Sequence, residues 1–158
     1  MNIVIMRHGE AEAFVSRDAD RTLTDVGHQQ AKLAGECLSQ LGLCFDQVWV
    51  SPYIRAQQTA TAVLSSFAET SSSTLELLTP DSSPALVVDK LEQSRLDSLL
   101  IVSHQPLVST LVGLLGHADP RAGPPMSPAS MALLWADVVL PGCCDLQWLR
   151  HAPIFDRV

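Results

Sequence analysis

Short apolar runs alternate along the chain with longer segments in which apolar residues recur at helical spacing. Residues 98–103, for example, hold four consecutive aliphatic side chains, which is typical of a strand covered on both faces. The same reasoning predicts strands at residues 2–6, 47–51, 98–103, 130–136 and 145–150, and a further short strand at residues 74–78. The last two long strands are expected to join in a turn near Pro141 and Gly142.

Helices are predicted in the intervals between these strands. Thr24 can cap a helix whose apolar side runs from Val26 to Leu41, and Gly42 is positioned to end it. Further helices are expected over residues 54–68, 84–94 and 106–115, the last opened by Pro106 and closed by Gly116. Strands that alternate with helices predict an α/β fold, a three-layer sandwich with a mostly parallel central sheet flanked by helices.

The composition favours one compact domain spanning residues 1–158, since 47% of the residues are hydrophobic and 17% are charged. A net charge of −7 with no run of Lys or Arg argues against a nucleic-acid partner. No uncharged apolar stretch approaches the roughly 20 residues that cross a bilayer, and residues 1–6 do not resemble a secretory signal. The four cysteines have neither metal-ligand nor disulfide spacing. We therefore expect no membrane association and a cytoplasmic location.

Charged and polar residues directly follow three of the predicted strands. Arg7 and His8 come after the first strand, Ser51 and then Arg55 after the second, and His104 after the Leu-rich strand. Ligands of such sheets bind beyond the carboxyl ends of the strands. Each residue alone has an ordinary structural explanation, such as a surface charge or a satisfied strand end. Together they predict one electropositive site.

Phosphate is the ligand that this site favours, because arginine stays ionised and its fork matches phosphate oxygens. The sequence has no Walker-type loop and no grouping of residues at metal-ligand spacing, so we expect neither a metal nor another cofactor. A neutral imidazole can attack phosphorus while arginines balance the developing charge. We predict that His8 is a nucleophile held rigid by its strand, that Gly9 permits close approach of the phosphate and that Arg7 binds the phosphate.

Several segments resemble, in the right order, the motifs of the histidine phosphatase (phosphoglycerate mutase-like) superfamily. They are Ile5-Met6-Arg7-His8-Gly9, Leu23-Thr24 with Gly27, the stretch from Val50 to Thr59, and Ser103-His104. The likeness is greatest to the phosphohistidine phosphatases of that superfamily and covers nearly the whole chain, including Leu78-Thr79-Pro80, Ser103 to Val108 and Pro124-Pro125-Met126. An Arg-His-Gly triplet alone is weak evidence, whereas the ordered set is specific.

The resemblance implies a phosphoglycerate mutase-like fold and a metal-independent phosphatase whose nucleophile is His8. It further implies that Arg7, Arg55 and His104 bind and stabilise the phosphoryl group. Arg21 is similar to an additional arginine of the phosphate pocket in the phosphohistidine phosphatases, although it also has an ordinary explanation as a surface charge.

The expected substrate depends on a missing proton donor. The superfamily supplies a carboxylate for this purpose, and Asp81 and Glu76 lie in the expected region without a clear match. An alkoxide leaving group needs general-acid help, whereas the P–N bond of phosphohistidine is intrinsically labile. The interval from Arg55 to His104 also has no room for a lid. We therefore predict hydrolysis of phosphohistidine on a histidine-phosphotransfer domain or a phosphocarrier protein, with inorganic phosphate as the product.

Two alternatives stay open. One is a phosphomonoesterase for small metabolites, which an essential carboxylate such as Asp81 would favour. The other is a phosphoprotein-binding module that has kept the pocket without turnover.

Overall fold

Six strands and four α-helices alternate along residues 1–13 and 16–155, the part of the chain that the computed structural model describes. The strands are β1 (Asn2–Arg7), β2 (Gln47–Val50), β3 (Ser72–Thr74), β4 (Ser98–Ser103), β5 (Met131–Trp135) and β6 (Asp145–Arg150). The helices are α1 (Asp25–Gln40), α2 (Ile54–Leu64), α3 (Pro84–Gln93) and α4 (Leu107–His117). Within these described residues, no helix combines the length and apolar character needed to cross a membrane.

The strands form one sheet in the order β3-β2-β4-β1-β5-β6. β3, β2, β4 and β1 run parallel to one another, whereas β5 is antiparallel to β1, and β6 to β5. The predicted mostly parallel sheet is thus confirmed, with the two closing strands as its antiparallel edge. Because β1, β4 and β2 are parallel neighbours, their carboxyl ends lie side by side.

The two faces of the sheet pack against different pairs of helices. In β1, Ile3 and Ile5 belong to a hydrophobic cluster with residues of α3 and α4, while Val4 and Met6 belong to a second cluster with residues of α1 and α2. This alternation follows from the two-residue period of a strand. The predicted three-layer sandwich is confirmed.

The predicted apolar side of α1 is wrong in detail. Val26 is 52% exposed and Leu41 is 42% exposed, although the helical spacing predicts that both face the core. The residues that α1 buries are instead mostly small: Gly27, Ala31, Ala34, Gly35 and Leu38. Small residues carry little hydrophobic signal, but they let two helices approach closely. The caps are as predicted, since Thr24 accepts a hydrogen bond from the Gly27 N–H and Gly42 has a φ of +72°.

The segment after α2 also differs from the prediction. α2 ends at Leu64 rather than at residue 68, because the N–H groups of Ser66 and Phe67 bond three residues back in turns. The third strand lies at Ser72–Thr74, where it pairs with β2, and not at residues 74–78. Residues 76–78 form a 3₁₀ helix instead, and Leu78 is fully buried.

The end of α4 lies beyond the predicted stop at Gly116. The helix runs to His117 and ends at Ala118, which has a φ of +55° and donates its N–H to the Leu114 carbonyl at 3.0 Å. In the region that follows, Pro120–Ala122 forms a 3₁₀ turn. Ala118 therefore serves as the left-handed cap that glycine usually provides.

We predict that Gly35→Ala lowers the free energy of unfolding by about 1–3 kcal/mol, the usual cost of overpacking. A Cβ at Gly35 would lie 2.6 Å from the Val63 carbonyl oxygen and 2.9 Å from its Cα, so α1 and α2 would have to separate. Gly116→Ala is the control, because its Cβ would only touch the Cys144 carbonyl at 3.7 Å. This control should gain up to about 1 kcal/mol from helix propensity. Urea unfolding measures both, and equal stability of the two variants would contradict the close packing.

Candidate active site

Three adjacent strand ends bring the predicted histidines together. His8 follows β1 and donates its backbone N–H to the Ser103 carbonyl at 2.9 Å, so that it lies beside His104 at the end of β4. The two imidazole centroids are 5.0 Å apart. Ser51 follows β2 on the other side of β4, and its N–H donates to the Val102 carbonyl at 3.1 Å. The structure therefore places the residues that follow β1, β4 and β2 together at one edge of the sheet, as the sequence predicts.

Two hydrogen bonds fix which nitrogen of His8 carries its proton. Nδ1 lies 2.7 Å from the Gly9 carbonyl oxygen, which can only accept, so Nδ1 must be the donor. Nε2 lies 3.1 Å from Nε of Arg55, which can only donate. The lone pair of His8 is therefore on Nε2, as attack on phosphorus requires.

Gly9 and Thr59 hold the backbone that orients His8. The Gly9 N–H donates to Oγ1 of Thr59 at 3.1 Å, and this hydroxyl donates in turn to the Arg55 carbonyl at 2.7 Å. A Cβ at Gly9 would lie 2.5 Å from the Gly27 carbonyl oxygen, so the absence of a side chain lets α1 approach β1. Because its N–H is engaged by Thr59, direct contact of Gly9 with phosphate stays a prediction.

Arg55 is buried against the candidate nucleophile. Its side chain is 4% exposed, and besides the contact with His8 it donates from Nη1 to the Asp18 carbonyl at 2.6 Å and from Nη2 to Asp18 Oδ2 at 3.0 Å. Arg21 reaches the same carboxylate, with 3.1 Å from Nη1 to Oδ1, and donates from Nε to the Glu12 carbonyl at 2.6 Å. Asp18 thus bridges two of the predicted phosphate-binding arginines.

Asp18 is the functional candidate that sequence reasoning missed. It belongs to a 3₁₀ turn, Asp18–Asp20, in the segment between β1 and α1. Hydrogen bonds from Glu12 N–H to Thr22 and from Thr24 N–H to Glu10 fold this segment back on itself. The available signal was an acidic residue three positions before Arg21, within salt-bridge range in a helical turn.

Arg7 contributes a guanidinium that is only partly paired. Its Nη1 donates to the Met126 carbonyl at 2.9 Å, while its Nε is buried without a partner. Nδ1 of His104 is likewise buried and unpartnered. Buried polar groups are rarely left so, which makes both atoms candidates for contact with a bound anion. Burial, followed by the neighbouring Arg55 and Arg21, lowers the pKa of Arg7.

Both histidines are held neutral. Burial lowers the pKa of His8 to about 4, against the partly opposing hydrogen bond to Gly9, and Arg55, Arg7 and Arg21 lower it further. Burial lowers the pKa of His104 to about 2, with smaller contributions from His8 and Arg55. A neutral imidazole at physiological pH keeps the lone pair that a nucleophile needs.

The predicted carboxylates have a different setting from Asp18. Asp81, Glu76 and Asp18 are all exposed, but of these three only Asp18 forms an ion pair with an arginine within the described residues. Burial raises the pKa of Asp18, but the hydrogen bonds from Arg21 and Arg55 outweigh it, so that this pKa lies below its ordinary value. The carboxylate that contacts the arginines is therefore ionised near pH 7.

The fold and this cluster of two histidines and three arginines are those of a phosphoryl-transfer enzyme that uses side chains for its chemistry. The family model of the histidine phosphatase superfamily (branch 1) matches residues 3–78. The chain belongs to this superfamily, as its similarity to two curated relatives over most of their length shows.

Two curated relatives match over most of their length. The phosphohistidine phosphatase SixA homolog of Haemophilus influenzae is 40% identical over 148 residues, which cover 85% of this chain and 88% of that protein. Phosphohistidine phosphatase SixA of Escherichia coli is 36% identical over 134 residues, 80% of this chain and 79% of that one. A solved structure of the protein histidine phosphatase SixA complexed with tungstate has a TM-score of 0.86 at 30% identity and covers 94% of this chain and 96% of its own.

We predict that Thr59→Val lowers kcat/KM about tenfold and the free energy of unfolding by about 1–3 kcal/mol, the cost of leaving a buried donor without an acceptor. The substitution keeps the shape of the side chain but leaves the buried Gly9 N–H without its acceptor, which loosens the backbone that orients His8. Thr61→Val is the matched control, because Thr61 makes the same bond to the carbonyl four residues back, to Gln57, on the exposed side of α2. Equal kinetics for the two variants would contradict the role given to Thr59.

We also predict a loss of stability on acidification that depends on His8. Its pKa is about 4 in the folded protein, against about 6.5 in an unfolded chain, so below pH 6.5 the unfolded state binds the extra proton. Neutral His8 therefore contributes about 3 kcal/mol to the free energy of unfolding above pH 6.5, and this contribution is lost as the pH falls to 4. In urea unfolding at several pH values, His8→Gln should reduce the slope of this dependence and leave the part that His104 contributes, whereas the exposed-site control His117→Gln should keep the full slope. Parallel curves for wild type and His8→Gln would be the contrary result.

Proposed function

We propose that this member of the superfamily is a protein phosphohistidine phosphatase that works through a phosphorylated intermediate at His8. The observation that carries the proposal is the state of His8: neutral, with its lone pair on Nε2 and hydrogen-bonded there to a buried arginine. The names of the two curated relatives, both phosphohistidine phosphatases, support the substrate class.

The proposed reaction has two displacements at phosphorus. In the first, Nε of Arg55 gives up its hydrogen bond to Nε2 of His8, and Nε2 forms a bond to phosphorus as the P–N bond of the substrate breaks. The departing imidazole takes up a proton from water. In the second, a water oxygen attacks the phosphoryl group, its proton passes to solvent, and the bond to Nε2 breaks to give inorganic phosphate. Splitting the hydrolysis in this way is the usual gain from a covalent intermediate.

The arginines balance the charge that moves during both steps. Arg7, Arg21 and Arg55 each lower the pKa of His8, so all three act electrostatically on the reacting nitrogen. The phosphoryl oxygens would take the unpartnered Nε of Arg7 and the donors that Asp18 now occupies on Arg21 and Arg55. Bidentate arginine contacts of this kind stabilise phosphoryl transfer.

The ionised state of Asp18 favours phosphohistidine over a phosphate ester. Alkoxide departure calls for a proton donor, whereas the arginines keep Asp18 deprotonated. The other two candidates, Asp81 and Glu76, are exposed side chains. A substrate whose leaving group departs without a catalytic acid suits these surroundings, and phosphohistidine is such a substrate.

The substrate we propose is phosphohistidine on a protein, either a histidine-phosphotransfer domain or a phosphocarrier protein. From Arg55 to His104 the described chain contains the rest of α2, then β3, a 3₁₀ turn, α3 and β4, all of which belong to the three layers or their connections. The side chains of Arg21 and Asp18 are accessible from solvent, at 28% and 53% exposure. A phosphorylated side chain would therefore enter past these two residues.

We predict that kcat/KM for a phosphohistidine protein exceeds that for glycerol phosphate at least about a hundredfold, because general-acid help is worth about 10²–10⁴ for an ester. The assay measures released inorganic phosphate with both substrates. His8→Ala should abolish turnover, and Asp81→Asn and Glu76→Gln should stay within about twofold of wild type. A metal chelator should leave the rates unchanged.

Three outcomes would overturn the proposal. Preference for the ester with a collapse in Asp81→Asn would establish the small-metabolite phosphatase instead. Binding of the phosphoprotein without release of phosphate would establish a binding module. Turnover near the wild-type rate in His8→Ala would remove the covalent intermediate.

A further inference from the structure

A short contact joins the second histidine of the site to a buried serine. Oγ of Ser51 lies 2.6 Å from Nε2 of His104, and both residues are almost completely buried, at 0% and 1% exposure. The same oxygen accepts a hydrogen bond from the Tyr53 N–H at 3.3 Å. The Tyr53 ring meets the His104 ring edge-on, with centroids 5.0 Å apart, and so limits its rotation.

The direction of this hydrogen bond follows from counting donors and acceptors. A serine hydroxyl has one hydrogen and two lone pairs, and a neutral imidazole has one N–H and one lone pair. If Nε2 of His104 donated, the Ser51 hydrogen would have no acceptor among the contacts of the described residues, and the Nδ1 lone pair would be buried alone. If Ser51 donates, every group of the serine is satisfied and one buried N–H on Nδ1 remains. The second arrangement leaves fewer buried groups unpaired.

We propose that Ser51 is a positioning residue: it donates its hydroxyl hydrogen to Nε2 of His104, keeps the ring proton on Nδ1, and so makes neutral His104 a hydrogen-bond donor to the phosphoryl group. This inference deepens the proposed function and rests on it for the identity of the anion. The two histidines then have the same tautomer with opposite roles. His8 uses the bare Nε2 as nucleophile, while His104 uses the protonated Nδ1 as donor.

The setting of His104 supports a donor that works without a charge. Burial and the neighbouring His8 and Arg55 hold the pKa of this ring far below neutrality, so the imidazolium is not available in the free protein. An imidazole of the other tautomer would turn a lone pair toward the phosphoryl oxygens. The serine thus decides whether the ring attracts or repels an anion.

The first test reads the tautomer directly in the wild-type protein without phosphate. Long-range ¹H–¹⁵N NMR of histidine-labelled protein distinguishes a protonated ring nitrogen from a bare one, and loss of the signal in His104→Gln assigns it. We expect the proton on Nδ1 of His104 at pH 7. A proton on Nε2 would overturn the proposal whatever the protein hydrolyses, so its failure is separable from failure of the proposed function.

The second test measures the binding of inorganic phosphate by titration calorimetry. Ser51→Ala should weaken binding about tenfold, as expected for the loss of one well-placed hydrogen bond, with a mixture of His104 tautomers by NMR. Ser51→Thr keeps the hydroxyl and should restore both the binding and the single tautomer. Unchanged phosphate affinity in Ser51→Ala would contradict the inference.

Ser130→Ala is the matched control for this series. Ser130 is also fully buried, and its Oγ lies 2.6 Å from Nδ1 of another histidine, His151. Its loss removes a serine–histidine contact of the same length outside the arginine cluster, so phosphate affinity should stay within about twofold of wild type. An equal loss of affinity in Ser130→Ala and Ser51→Ala would reduce Ser51 to a general structural role.

Discussion

The buried guanidinium of Arg55 is the constraint on which the site depends. An ionised group that is 4% exposed costs several kcal/mol to bury unless its donors are matched. Its three partners are Nε2 of His8, the Asp18 carbonyl and the Asp18 carboxylate. Satisfying Arg55 therefore requires the lone pair of His8 to face it, which puts the proton on Nδ1 against Gly9. The same requirement holds the 3₁₀ turn Asp18–Asp20 beside Arg55 in the first turn of α2.

In the proposed reaction this arrangement suits an anion that binds and is released. Asp18 neutralises part of the charge of Arg21 and Arg55, yet Nε of Arg7 and Nδ1 of His104 are buried without partners. A carboxylate offers two oxygens in a plane, whereas a phosphoryl group offers three arranged around phosphorus. Only the latter has acceptors for the unpaired donors as well as for the arginines.

Some parts of the molecule could be predicted from the sequence and others could not. The apolar runs that became β1, β2 and β4 could be predicted because both sheet faces are covered, and the residues after them are brought together by parallel pairing alone. The buried face of α1 could not be predicted, because its closest contacts are made by glycine and alanine, which carry little hydrophobic signal. Asp18 was missed for a related reason: its place is set by Arg55, which is 37 residues away in the sequence. Spacing within a segment holds no information about such a contact.

The P–N bond of phosphohistidine also explains why the proposed first step needs no proton donor. In the proposed first step one P–N bond replaces another, because the phosphoryl group passes from an imidazole of the substrate to Nε2 of His8. The exchange is close to balanced in free energy, so the site needs to supply orientation and charge and little driving force. An ester substrate would instead have to exchange a P–O bond for the more labile P–N bond and expel an alkoxide. An arginine cluster whose carboxylate is ionised opposes the second reaction and suits the first.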